Sequence, residues 1–141
     1  MKYAPDQKDS PKTILLVDDD ATILKLVSEI LANGNYTVLT AGSGAAALQQ
    51  SRDCKDEIHV LLSDFNMPGM TGVALATQLT LERPELKVLL MSGFSGGMLV
   101  LNEGWHFLPK PFVASQLRAL MAGLASPEKV SRFATAAAGK S

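Results

Sequence analysis

Ile14-Leu15-Leu16-Val17-Asp18-Asp19-Asp20 runs from four apolar side chains directly into three carboxylates. It reads as a buried strand with an acidic carboxyl end. The same layout recurs along the chain: Val60-Leu61-Leu62-Ser63 stops at Asp64, Val88-Leu89-Leu90-Met91 at Ser92, and His106-Phe107-Leu108-Pro109 at Lys110. If these runs are parallel strands of one sheet, their carboxyl ends lie side by side, and carboxylates, a hydroxyl and an ammonium meet in one crevice. That combination suits a metal ion and a phosphoryl group.

Working outward from Asp20, the next segment places Ile23, Leu24, Val27, Ile30 and Leu31 on one helical face, closed by Asn33-Gly34. Tyr36 to Thr40 alternates as a short strand. Ser43 then suits the cap of a helix through Ala45, Ala46, Ala47 and Leu48, whose small side chains permit close packing and whose end lies near the polar run Ser51 to Glu57. A third strand is expected over Ile58 to Leu62, followed by the turn Asn66-Met67-Pro68-Gly69-Met70 and a helix capped at Thr71 that finishes before Pro84. Leu86 to Met91 reads as a fourth strand and Trp105 to Leu108 as a fifth. Pro111 is expected to open a last helix, with Val113, Leu117, Leu120, Met121 and Leu124 inward. Strands alternating with helices imply an α/β fold with a parallel sheet covered on both faces. The expected organisation is one domain over residues 12–124, with a flexible N-terminal segment 1–11 and a mobile tail 125–141.

Composition narrows the functional class. The 141 residues, 47% hydrophobic, suffice for one domain, and folding at this size hides roughly 70% of the surface of the unfolded chain. A net charge of -1 with no run of Lys or Arg lacks the footprint of a nucleic-acid binder, so direct DNA contact is not expected. The single Cys54 excludes an internal disulfide, and His59 and His106 are not spaced with other ligands as a zinc site requires. Both histidines, the thiol and Met67, Met70, Met91 and Met98 read as ordinary structural or surface residues. No segment approaches ~18 uninterrupted apolar residues, so membrane insertion is not expected and the cytoplasm is the expected location.

The acidic cluster has an electrostatic consequence. Carboxylates within ~5 Å repel by roughly 3 kcal/mol per pair at an effective dielectric of 20, so they stay ionised together only beside a compensating cation. Mg²⁺ takes an octahedral shell of oxygens and usually shares it with a phosphate, which matches carboxylates at an open crevice. A carboxylate in that shell can attack phosphorus, while a lysine, a hydroxyl and the metal neutralise the charge spread over the equatorial oxygens.

Four ordered motifs now carry a resemblance: LLVDDD at 15–20, LLSDFNMPGMTG at 61–72, VLLMSG at 88–93 and FLPKPF at 107–112. Over about residues 12–124 the chain resembles the receiver domain of two-component response regulators. The resemblance implies a flavodoxin-like, doubly wound sheet of five parallel strands in the order 2-1-3-4-5; a chemotaxis member is a standard example of that order. It implies that Asp64 is the phosphoacceptor, that Asp18 and Asp19 hold the metal together with Asp64 and the backbone carbonyl of Asn66, and that Ser92 and Lys110 contact the phosphoryl oxygens. Gly93 would leave room for the phosphoryl group, and a cis Lys110-Pro111 bond would aim the ammonium inward. Mg²⁺ is the implied cofactor, with Mn²⁺ as a substitute. Ser92 and Phe107 would move together as a switch, altering the surface of the fourth helix, fifth strand and fifth helix. Phe107 stands where relatives often carry Tyr, so the switch would act through packing without a hydroxyl.

Each residue also has a plainer reading. A DDD run alone reads as a helix cap, Ser92 as a strand-end serine, Lys110 as a turn lysine and Phe107 as a core aromatic. A haloacid-dehalogenase-like phosphatase is a rival, since Asp18-x-Asp20-x-Thr22 fits its nucleophile motif. That family needs a further acidic cluster after its lysine, and here Glu128 is the only acid beyond Lys110. A degenerate receiver that binds a partner without phosphorylation is a second alternative. The reading adopted is a stand-alone receiver, acting as an output module, relay intermediate or phosphate sink. Its partners would be a sensor histidine kinase or histidine phosphotransfer protein and a downstream protein target. From Ser92 to Lys110 the segment is about one helical turn, ~4 residues, shorter than in chemotaxis-type receivers. It opens Ser95-Gly96-Gly97, so a short or irregular fourth helix is expected.

Overall fold

The computed structural model describes residues 10–93 and 105–125. The strands β1 (Lys12–Val17), β2 (Tyr36–Ala41), β3 (Val60–Asp64), β4 (Lys87–Ser92) and β5 (Trp105–Pro109) form one sheet. Every pairing is parallel and the order is β2-β1-β3-β4-β5. The described helices are α1 (Ala21–Ala32), α2 (Gly44–Asp53), α3 (Gly72–Glu82) and α4 (Ala114–Ala125). This is the doubly wound order that the resemblance implied. The expected irregular fourth helix over 95–103 lies outside the described residues, as do nearly all of the segments 1–11 and 125–141.

Runs of consecutive apolar residues in β1, β3 and β4 make sense because both faces of the sheet are covered. Side chains alternate between two cores. Leu15, Val17, Leu61, Val88 and Leu90 pack with Ala47 of α2 and Leu75, Ala76 and Leu79 of α3. Ile14, Leu16, Val60, Leu62, Leu89 and Met91 pack with Val27 and Leu31 of α1 and Leu117, Met121 and Leu124 of α4. A one-residue slip of any central strand would exchange its two sets of contacts, so helix packing on both faces pins the register.

Polar side chains start the first three helices where expected. Asp20 accepts from the Thr22 amide, Ser43 from Ala46 and Thr71 from Ala74, each satisfying an amide that lacks a helical partner. The end of α2 is tied down by Arg83, whose guanidinium donates to Ser51 Oγ and to the carbonyls of Ser51, Cys54 and Asp56.

Two expectations need correction. The third strand was expected over Ile58 to Leu62 and runs Val60–Asp64 instead, because its pairing with β1 starts at Ile14↔Val60 and its pairing with β4 continues to Asp64↔Met91. Ile58 is buried by packing outside the ladder. The last helix begins at Ala114 rather than at Pro111, and Val113 faces solvent at 60% exposure. Val113 stands at the cap, where its carbonyl accepts from Gln116 and Leu117 and its amide donates to Gln116 Oε1. Phe112 supplies the apolar contact expected of Val113.

Candidate functional site

The sheet register assembles the site. Val17 pairs with Ser63, so Asp18 and Asp64 emerge next to each other from the carboxyl ends of β1 and β3. Ser92 pairs with Pro109, and the Lys110 amide donates to the Ser92 carbonyl at 2.6 Å, which sets Lys110 beside the end of β4. From there the lysine reaches past β4, placing Nζ 3.0 Å from Asp64 Oδ1 and 3.4 Å from Asp18 Oδ2. Neighbouring strands lie about 4.8 Å apart, so only a long flexible side chain makes that span from β5. The Lys110-Pro111 bond is cis.

Asp18 and Ser92 are almost wholly buried, and Asp64 nearly so. Asp18 Oδ1 accepts from the Asp20 amide at 2.9 Å. Burial raises the Asp18 carboxyl above its ordinary range. The Asp20 amide counteracts this, the Asp64 charge adds to it, and Lys110 counteracts it in turn. At Lys110 burial works against the charge, but the hydrogen bond to Asp64 and the charges of Asp18 and Asp64 outweigh it, so its affinity for the proton rises.

Asp19 is exposed at the rim. Carboxylate oxygens of Asp18, Asp19 and Asp64 lie within 4.8 Å of one another. One ammonium against three carboxylates leaves the cluster negative, and an all-oxygen donor set of this kind fits a hard divalent cation such as Mg²⁺. Asn66 lies two residues beyond Asp64, at the start of a loop in which Gly69 takes φ +84 and the Gly72 amide closes onto the Phe65 carbonyl at 2.8 Å. A Cβ added at Gly93 would meet nothing within 4 Å among the described residues. Phe107 is half-buried and packs with Trp105 against the core under α2 and α3.

Asp20 stays out of the cluster because its carboxylate caps α1. This removes the second acid that the phosphatase reading needs. Sequence reasoning passed over Ser63, whose hydroxyl donates to the Asp64 carbonyl at 2.9 Å, and Gly72, where a Cβ would strike that same carbonyl group. The available signal at Ser63 was a lone hydroxyl inside an apolar buried run.

The family model for the response regulator receiver domain matches residues 14–122. The chain belongs to the response regulator receiver family. The two-component response regulator ORR24 of Oryza sativa subsp. indica is 35% identical to this receiver over 111 residues, which are 76% of this chain and 18% of that protein. Sensor kinase CckA of Brucella abortus (strain 2308) is 33% identical over 121 residues, 83% of this chain and 13% of the kinase. The receiver therefore spans less than a fifth of the length of either relative. Among solved structures, response regulator protein TrrA of Thermotoga maritima, in complex with Mg(2+)-BeF, superposes with a TM-score of 0.71 at 26% identity, covering 80% of this chain and 98% of that one. No helix among the described residues is long and apolar enough to cross a membrane.

Proposed function

We propose that this receiver takes a phosphoryl group onto Asp64 from a phosphohistidine of a sensor histidine kinase or histidine phosphotransfer protein. The observation that carries this reading is the Lys110 ammonium shared between Asp64 and Asp18 at the mouth of a buried acidic cluster. A carboxylate oxygen of Asp64 forms the bond to phosphorus as the donor's nitrogen–phosphorus bond breaks and the histidine nitrogen keeps the electron pair. Hydrolysis of the acyl phosphate returns the carboxylate and inorganic phosphate. The domain assists both steps on itself as a signalling module.

Asp18, Asp19, Asp64 and the Asn66 carbonyl are the residues that would hold Mg²⁺, or Mn²⁺ in its place. A bound divalent ion supplies charge neutralisation at the phosphoryl oxygens. Lys110 neutralises a second phosphoryl oxygen and Ser92 Oγ donates to a third. Gly93 leaves space at the entrance. Ser92, at the end of β4, and Phe107, on the neighbouring strand β5, form the switch, which repacks the aromatic ring against the core it already touches. Residues 12–124 act as one unit in the cytoplasm, signalling by protein contact, relay or phosphate sink.

The test is labelling with acetyl phosphate or a phosphohistidine donor. Label should require Mg²⁺ or Mn²⁺, vanish in EDTA and be absent from Asp64→Asn. Undiminished labelling of that variant would remove Asp64 from the role.

A further inference from the structure

Ser63 is fully buried in a strand made otherwise of apolar residues and Asp64. It pairs with Val17 and Leu90, both members of the core under α2 and α3, so its side chain points away from the acidic crevice. A hydroxyl in such a place costs roughly 1–3 kcal/mol if it finds no partner, and alanine would fill a small core position without that risk. The partner it has is the carbonyl of the next residue, Asp64, at 2.9 Å.

That carbonyl belongs to the peptide between Asp64 and Phe65, which is gripped at three points. Its oxygen accepts from Ser63 Oγ, its amide donates to the Met91 carbonyl at 2.7 Å, and its carbonyl group lies against Gly72, where a Cβ has no room. The grip comes where the sheet becomes one-sided. Pairing of β3 with β1 ends at Ser63, while pairing with β4 continues to Asp64. On the β4 side the backbone holds the peptide, and elsewhere the serine hydroxyl and the first turn of α3 do so. The orientation of this peptide sets the direction of the Asp64 side chain and of the loop that begins with Asn66.

We propose that Ser63 is a positioning residue for phosphoryl transfer, holding the Asp64–Phe65 peptide so that the Asp64 carboxylate meets the Lys110 ammonium and the incoming phosphorus in line. This inference rests on Asp64 being the phosphoacceptor. Ser63 touches no reacting atom, so it acts on the rate of the chemical step and leaves donor binding alone. Misplacing a reacting group by 1 Å costs on the order of 100-fold in rate, and the loss of one of three grips should cost roughly tenfold.

The experiment measures acetyl phosphate labelling of the full chain in Mg²⁺ for wild type, Ser63→Ala, Ser63→Thr, Ser63→Cys and Asp64→Asn, with Mg²⁺ affinity and thermal melts for each. Ser63→Ala should lower the maximal rate at saturating Mg²⁺ roughly tenfold while the half-saturating acetyl phosphate concentration stays within about twofold. Ser63→Thr, which keeps the hydroxyl, should recover most of the rate. Ser63→Cys, with a weak donor in nearly the same volume, should fall between. A wild-type rate in Ser63→Ala overturns the proposal, as does a loss that follows only the unfolded fraction or that threonine fails to rescue. If wild type takes no label, or Asp64→Asn takes as much, the phosphoacceptor reading fails first, whatever the serine variants do.

Discussion

Lys110 Nζ stands 3.0 Å from Asp64 Oδ1 although the two residues leave the sheet on β5 and β3, with β4 between them. The lysine is the one described cation inside the acidic crevice, and its stem is mostly buried. It therefore holds the metal-free protein together locally. Lys110→Ala leaves Asp18 and Asp64 facing each other without compensation, and should destabilise the metal-free protein by about 1–2 kcal/mol. Added Mg²⁺ should restore part of that loss. Urea titrations with and without Mg²⁺ check both effects. Because the lysine's proton affinity is raised by folding, its contribution is complete at neutral pH and is lost only as pH climbs beyond the ordinary value of 10.5.

Asp18 has the opposite linkage. Folding raises its proton affinity above the ordinary value of 3.8, so between that value and the raised one the native state binds more protons than the unfolded state. Its contribution to stability grows as pH falls through this window, and at neutral pH its charge is a cost. Asp18→Asn, whose oxygen can still accept from the Asp20 amide, should raise metal-free stability at pH 7 by roughly 1 kcal/mol and abolish tight Mg²⁺ binding. Exposed Asp19 is different: Asp19→Ala should weaken Mg²⁺ binding and leave metal-free stability within about 0.5 kcal/mol. Melting curves and metal titrations separate the two cases.

His106 on β5 provides a pH signature away from the site. Its Nε2 is buried without a hydrogen-bond partner among the described residues, and burial, with Lys87 nearby, lowers its proton affinity below the ordinary value of 6.5. The unfolded chain then takes up a proton before the native state does, so this contribution is complete above pH 6.5 and is lost as pH falls below it. The slope cannot exceed about 1.4 kcal/mol per pH unit for one proton. His106→Phe should flatten stability against pH between 6.5 and 5 relative to wild type, as read by denaturant midpoints at each pH.

Two glycines beside the site should respond in opposite ways. Gly72→Ala drives a methyl group into the Asp64 carbonyl and the Phe65 backbone, atoms that cannot rotate away, and should cost about 2–3 kcal/mol. Gly93→Ala places its methyl in open space among the described residues, and should change stability by less than about 0.5 kcal/mol. If Gly93 is the entrance for the phosphoryl group, the second variant should still slow labelling by acetyl phosphate. Urea denaturation and labelling rates measured on the same samples distinguish fold from access.

Much of this molecule is local, and local features are readable from order along the chain. The apolar runs ending at Asp18, Asp64, Ser92 and Lys110 announced strands whose carboxyl ends lie side by side, and Asp20, Ser43 and Thr71 announced helix starts, because strand burial and capping are set by neighbours within a few residues. The likeness of four motifs to receivers supplied the strand order, which no single segment encodes. The ladder limits of β3 escaped that reading because they depend on where β1 stops and β4 continues, and the outward turn of Val113 escaped it because Phe112 already packs against the core under α1 and α4. The same holds for Ser63 and Gly72. Their importance lies in contacts with one backbone carbonyl, and a chain read in one dimension shows residue types and spacing but not which atoms share a space too small for another methyl group.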